Sequence, residues 1–429
     1  MRQFLWRMGT FDILRKGMKL LFSKSRLEIV KSSGGREEIK MQTEGKKVLQ
    51  IVTGNFGSGG LTQIVYVWGK RIESEGIIFD FLCRKRHECD DFIQEIHEYG
   101  GRISRPKFAV NGFLAQLSMV KRLIMIQHRE HYDVVHIHSD STYNMLTGLL
   151  AAKRAGIKKV ILHSHSAGME THDADGISAR YLVKIAAHKI CKRLLPVSKN
   201  VQLCACSKKA AAWMYGNRLQ KQVKIIDNGI EPIPFMYSKF VRADMREKYR
   251  LEENYVIGHV GRFAYQKNHA FILDLAERLQ DECPEAVIVL IGDGELYQEV
   301  QTRAFNMGLT NVRFVGRSDE VNNWLQAFDL FVLPSHFEGL PVSAVEAQMA
   351  GLPCLISDEV DQDCRILPDV EFLPIDRGAE LWADAIRDAV TEWKDPAADP
   401  DLRGKSSAVA AGSKYNIAKT IRQLKELYR

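Results

Sequence analysis

Four side chains outline the chemistry open to this sequence: Arg262 and Lys267 in GHVGRFAYQKN, and Glu338 and Glu346 in EGLPVSAVEAQMAGLP. Two cations held at a strand end and a helix start can clamp a diphosphate, an arginine doing so bidentately. Gly339 and Leu340 fall where a helix should begin, and the free N–H groups and macrodipole at a helix start favour an anionic phosphate. Glu346, about two turns further on, is poorly placed for phosphate but well placed to accept hydrogen bonds from ribose hydroxyls. Taken singly, each residue has an ordinary reading as a solvated surface charge. The joint pattern is what argues for a nucleotide site.

The elements that must position these groups follow from local pattern. Residues 331–333 form a short apolar run that reads as a buried strand, broken at Pro334. A helix should follow from about Glu338, with Pro341 in its first turn and Val342, Val345, Ala347 and Ala350 on its sheet-facing flank. Gly351 stops it, and 354–356 is the next strand. A strand over 255–260 delivers Arg262, and a helix over 270–281 follows Lys267. Upstream, a strand over 46–53 runs into GNFGSGG, a strand-to-helix turn in which Gly59 and Gly60 let backbone approach a ligand closely. Strands at 77–83, 133–138 and 159–163 alternate with helices at 90–99, 111–130 and 143–155, which predicts a parallel sheet covered on both faces. A strand over 193–197, a helix over 201–214 and a strand over 223–227 complete this half, before Pro232 and Pro234 mark a linker. The second half opens with a helix over 239–249 and ends with one over 415–428.

Length and composition narrow the class. A chain of 429 residues predicts two domains. No apolar run is long enough for a transmembrane helix. A net charge of +7 fits anionic ligands or an anionic membrane surface; nucleic acid is disfavoured because no nucleic-acid module is present. None of the eight cysteines forms a CxxC pair, so reduced thiols in a cytoplasmic protein are expected rather than zinc. Residues 1–45 are basic, with Phe4, Met8, Phe11, Leu14, Met18 and Leu21 at helical spacing. That pattern predicts an amphipathic helix, open to three readings: lying peripherally on an anionic membrane, docking on the body of the protein, or a start-site artefact upstream of Met18 or Met41; a polar, mobile stretch is expected over 32–45. His136, His138, His163 and His165 sit at strand ends where α/β folds bind ligands, but without nearby cysteine a metal site is not expected. Two Asp-x-Asp patterns, 173–175 and 361–363, lack the preceding apolar strand that a cation-holding role needs.

These motifs resemble glycosyltransferase family 4, retaining enzymes of the GT-B fold that move a sugar from a nucleotide-sugar donor, over roughly residues 46–390. The Glu-x7-Glu pattern at Glu338 and Glu346, and the Arg262 and Lys267 pair before it, carry the resemblance. It implies an α/β fold of two Rossmann-like domains facing a cleft: 46–231 on the acceptor side, 232–412 binding the nucleotide-sugar, and a final helix in 413–429 packing back on the first domain. It also implies retaining transfer from a nucleotide-sugar, by default a UDP-sugar, to a glycan or polyprenyl-linked acceptor in capsule or exopolysaccharide assembly, with no metal and no other cofactor. Arg262 and Lys267 would stabilise the departing diphosphate together with Gly339 and Leu340. Glu346 would bind ribose, Glu338 would orient donor sugar hydroxyls, and His165, with His163 second, would meet sugar or acceptor. Gly59 and Gly60 would border the cleft, as would Asn228 in an Asn-Gly-Ile turn. An epimerase of the same fold and a non-catalytic nucleotide-sugar-binding protein are the alternatives.

Overall fold

The computed structural model describes residues 25–31, 37–43, 45–53, 60–84, 90–107, 112–168, 172–173, 176–177, 179–196, 198–393 and 401–429. The amphipathic helix expected over residues 4–21 lies outside these. β1 (Ser25–Lys31) and β2 (Glu37–Thr43) form an antiparallel pair apart from the main sheets, which corrects the expectation of a mobile stretch for 37–43. EEIKMQT alternates polar and apolar residues at the strand period, a signal that its overall polarity hid.

The first domain is a seven-stranded parallel sheet. Its strands are β3 (Lys46–Val52), β4 (Ile77–Cys83), β5 (Ile103–Ser104), β6 (Val134–Ser139), β7 (Lys159–Ser164), β10 (Val201–Ala205) and β11 (Lys224–Ile225). They lie in the order β11-β10-β7-β6-β3-β4-β5, and a small hairpin of β8 (His172–Asp173) and β9 (Gly176–Ile177) stands outside the sheet. Among the described residues, six helices connect these strands: α1 (Gly60–Ile72), α2 (Asp90–Glu98), α3 (Gly112–Glu130), α4 (Thr142–Arg154), α5 (Ala179–Leu194) and α6 (Lys208–Leu219). Two expectations fail here. Residues 193–194 end α5 rather than start a strand, because Pro196 stops the helix just beyond. The run VQLCA is a strand and not a helix; the next helix waits for Ser207, whose side chain caps it by accepting from Ala210 N.

The second domain is a six-stranded parallel sheet in the order β14-β13-β12-β15-β16-β17. These are β12 (Tyr255–Val260), β13 (Ala286–Ile291), β14 (Val312–Gly316), β15 (Leu330–Leu333), β16 (Cys354–Ser357) and β17 (Val370–Leu373). Its helices are α7 (Lys239–Tyr249), α8 (His269–Glu282), α9 (Tyr297–Asn306), α10 (Val321–Ala327), α11 (Val342–Met349), α12 (Glu380–Trp393) and α13 (Leu402–Ala411). Strand order reverses between β3 and β6 in one sheet and between β12 and β15 in the other. Open α/β sheets bind ligands at the strand C-termini beside such a reversal.

The last helix, α14 (Ile417–Tyr428), returns to the first domain. Gly229 permits the crossing: a Cβ there would lie 2.3 Å from Thr420 Oγ1, whereas the actual Gly229 N–H donates to that hydroxyl at 3.1 Å. Ile417, Ile421, Leu424, Leu427 and Tyr428 are buried with Val48, Val52, Trp68 and Phe79 against one face of the first sheet. At roughly 1.5–3 kcal/mol for each fully buried large apolar side chain, the helix contributes several kcal/mol to the first domain. A second buried cluster covers the other face and continues through both domains, from Leu49 and Ile137 to Leu333 and Ala344.

Candidate functional site

The loops that leave β12 and β15 at the second sheet's reversal are laced together. His336 N donates to Gln266 O at 2.9 Å, Gln266 Nε2 donates to Phe337 O at 3.0 Å, and the Tyr265 and His336 rings stack with centroids 4.3 Å apart. Lys267 closes a short 3-10 turn, and Asn268 leaves it in the left-handed conformation, φ 56°, which swings the chain into α8. Lys267 Nζ lies 2.7 Å from Glu338 Oε1, and Ser335 Oγ donates to the same oxygen at 3.1 Å. With side chains 14% and 8% exposed, this is a largely buried ion pair. Glu346, on α11, is half-buried as a residue, but its carboxyl is enclosed. Burial pushes it up to about 8 against the downward pull of Lys267.

Arg262 faces an acid of the loop after β13. Its Nη2 is 3.7 Å from Glu295 Oε1, and both side chains are more than half exposed. Gly339 and Leu340 also depart from expectation. Proline disfavours helical backbone in the residue before it, and α11 begins only at Val342, with Pro341 as an extended N-cap. The amides at the head of the helix therefore belong to Val342, Ser343 and Ala344. Ser343 was missed, and its hydroxyl is buried there without a partner; a serine just inside a proline-headed helix was the available signal. Gly339 instead joins the domains. A Cβ on it would sit 2.2 Å from His165 O, and its carbonyl accepts from Ser207 Oγ at 2.5 Å. Leu340 is 5% exposed.

On the first domain, His165 follows the end of β7, and Asn228, 3% exposed, leaves its Oδ1 without a partner. Burial pulls His165 down to about 3, with the neighbouring Asn228 carboxamide acting the other way. His163, the second candidate, is fully buried within the sheet. Gly59 lies outside the described residues, and Gly60 opens α1. Among the described residues, His136, His138 and His163 form the one convergent group of metal-ligand side chains, within 4.8 Å of one another. The His136 and His163 rings stack at 10°, His138 is tilted 34° and 35° to them, and the three bond to one another and to neighbours. Asp361 is likewise engaged: it accepts from Lys209 N at 2.9 Å and from Asp363 N at 3.1 Å, while Asp363 lies 3.6 Å from Lys208 Nζ. Asp175 lies outside the described residues.

Two facing Rossmann-like domains with a buried Lys–Glu pair at the reversal of the second describe a GT-B glycosyltransferase. The profile for glycosyl transferases group 1 matches residues 241–399, and that for glycosyltransferase family 4 matches residues 58–232. EpsF of Bacillus subtilis, assigned as a glycosyltransferase, is 31% identical over 353 residues, 81% of this chain and 88% of EpsF. An Escherichia coli protein is 26% identical over 83% of this chain and 90% of its own length; it is named as the α-1,3-galactosyltransferase acting with UDP-Gal on α-D-GlcNAc-diphosphoundecaprenol. HepE of Anabaena, solved in complex with UDP-glucose, superposes with a TM-score of 0.69 at 17% identity, covering 89% of this chain and 98% of that one. The chain belongs to glycosyltransferase family 4 and is a glycosyltransferase.

Proposed function

We propose that the enzyme transfers a sugar from a UDP-sugar, with retention at the anomeric carbon, to a polyprenyl-diphosphate-linked glycan in surface polysaccharide assembly. The observation that carries this is the Lys267–Glu338 pair at the second sheet's reversal, with Glu346 beside it. In this reading 46–231 holds the acceptor, 232–412 holds the donor, and the helix in 413–429 fastens the two. Lys267 turns from Glu338 to the donor diphosphate as Glu338 takes the sugar hydroxyls, Arg262 leaves Glu295 to meet the charge growing on the leaving group, and Glu346 accepts from the ribose. Donors placed in advance where charge develops supply the largest part of such rate enhancements. The acceptor attacks from the face the diphosphate leaves, and a phosphate oxygen takes its proton. The donor and acceptor of the Escherichia coli relative and the UDP-glucose complex of HepE support the substrate classes. Incubation with a panel of UDP-sugars, with and without undecaprenyl-diphosphate-GlcNAc, should give acceptor-dependent product with the donor's anomeric configuration. Inverted linkage, or free sugar alone in every case, would refute the reading.

The same reading places the enzyme at an anionic lipid surface. Among the described residues no helix is long and apolar enough to cross a membrane. α3, α4 and α5, adjacent in one layer, expose Leu114, Leu117, Met125, Leu150, Ile190 and Leu194. Together these helices carry ten Lys and Arg against Glu130 as their single acid. Apolar side chains among cations suit an anionic lipid headgroup layer, each cation near the surface adding about 1 kcal/mol. Leu117→Glu with Ile190→Glu should weaken sedimentation with phosphatidylglycerol vesicles at least about tenfold and leave UDP binding intact. Removing residues 1–40 should weaken vesicle binding as well. Undiminished vesicle binding by the double variant would remove this surface from the account.

A further inference from the structure

The histidine row in the first sheet does more than fill space. Gln50, His136, His138 and His163 share one sheet face, as the pairings Gln50 with His136 and His138 with His163 require. Gln50 Nε2 donates to Tyr428 Oη at 3.3 Å, so Gln50 Oε1 is left as an acceptor, 2.8 Å from His138 Nε2. His138 Nε2 must then carry hydrogen. A neutral imidazole has one N–H, so His138 Nδ1 is bare, and His165 Nε2, 2.9 Å away, must donate to it. The nitrogen of His165 that remains is Nδ1, a buried lone pair beside the Asn228 carboxamide where the domains meet. The phenolic proton of Tyr428 goes the other way, to His136 Nδ1 at 2.7 Å, and His136 Nε2 in turn donates to His163 Nδ1 at 3.1 Å.

We propose that Gln50 and His138, backed by Tyr428, are positioning residues that lock His165 as its Nε2–H tautomer, so that Nδ1 accepts a hydrogen bond from a substrate hydroxyl. This rests on the reading of His165 as a substrate contact. A locked acceptor discriminates: it receives a sugar hydroxyl and offers nothing to an oxygen without a proton. Burial of the whole row holds these imidazoles neutral, which keeps the pattern fixed across ordinary pH. The lock also ties the site to the last helix of the chain, whose Tyr428 is the network's far end.

The test reads the tautomer directly. Full-length enzyme labelled with 15N in histidine, with His165→Gln assigning the signal, should show His165 with hydrogen on Nε2, unchanged from pH 6 to 8. Gln50→Leu should give mixed tautomers and lower kcat about tenfold, the scale of lost positioning partners, with donor KM within about twofold. Gln50→Glu, whose carboxylate can accept from His138 Nε2–H, should restore both signals. Tyr428→Phe keeps the ring's packing while removing the oxygen that orients Gln50, and should mix the tautomers even where Gln50→Leu fails to fold. Hydrogen on Nδ1 in the wild type would overturn the proposal. So would an unchanged tautomer and kcat in either folded variant. A fully active His165→Gln whose parent shows the Nε2–H signal would overturn it through its premise, and is distinguished by the intact tautomer.

Discussion

The second domain buries charge at its cleft, whereas the first buries neutral imidazoles beneath it. At Lys267 and Glu338 each ion is kept by the other, because a lone ion so enclosed would cost several kcal/mol of desolvation. At His136, His138 and His163 no countercharge is present among the described partners; burial instead pulls all three well below the usual range, and hydrogen bonds engage every ring nitrogen of the three except His163 Nε2. In the proposed reading the charged cluster exchanges partners when a diphosphate arrives, since the incoming anion replaces a carboxylate. The neutral row has no such exchange to make and serves as a fixed template. On that reading one side of the cleft rearranges and the other holds still.

The comparison breaks first at Lys267. Lys267→Met should leave Glu338 buried without its cation, costing about 3 kcal/mol of stability and reducing kcat/KM by about 10³. Adding Glu338→Gln should recover most of the stability and none of the activity, as read by urea denaturation and initial rates. Full activity in Lys267→Met would mean that the pair is only a structural strut. Next in size, Arg262→Ala should raise the barrier by about 3 kcal/mol with little change in donor affinity, because in the proposed reading it meets charge that grows in the transition state. Glu346→Gln should instead raise KM, since a ribose contact changes little during reaction. Both should keep the wild-type circular dichroism. Normal saturated turnover in Arg262→Ala, together with wild-type UDP affinity in Glu346→Gln, would reverse the assigned roles.

What could be read ahead of the structure divides by range. Strands at Tyr255–Val260 and Ile77–Cys83 and the helix Lys239–Tyr249 were expected over those same residues, since each is set by local periodicity and punctuation. The spacing of Glu338 and Glu346 likewise survives as a loop carboxylate and a helix carboxylate. The pairing of Lys267 with Glu338 was not legible, because it depends on two loops 71 residues apart, joined through Gln266 and Phe337. Nor was the link from His136 to Tyr428, separated by 292 residues. The misread stretch around 193–214 shows the complementary failure: apolar runs such as VQLCA fit strand and helix alike, and Ser207, the cap that decides, was passed over. Asp361 and Asp363 lack the sequence context of cation ligands, and their oxygens hold the start of α6.

Proton linkage sharpens the contrast by a smaller effect. Burial raises Glu346 to about 8, so at pH 7 it is mostly protonated. Ribose hydroxyls donating to it favour the carboxylate, so donor binding should release a proton, and affinity should rise about tenfold per unit well below pH 8 and level off above it. Titration calorimetry in buffers of different ionisation heat would measure the release. Glu346→Gln should abolish it, and the histidine row should add nothing between pH 6 and 9. A pH-independent wild-type affinity would exclude Glu346 from the binding step.

The smallest expected effect concerns a chelator. A donor diphosphate needs positive charge, and in metal-dependent transferases paired aspartates bring it as a bound cation. Here Lys267 lies within reach of Glu338, Arg262 is more than half exposed nearby in sequence, and α11 directs its first amides toward the end of the same loop. Asp361 is occupied by the backbone of Lys209, so recruiting it to a metal would require undoing a contact that joins the domains. EDTA should therefore change kcat by less than about twofold, since in the proposed reading protein cations and a helix start supply the electrostatic stabilisation. Activity lost in EDTA and restored by Mn2+, but not by buffer exchange, would transfer the role of Lys267 and Arg262 to a bound cation and dissolve the contrast between a charged, self-sufficient half of the cleft and a neutral one.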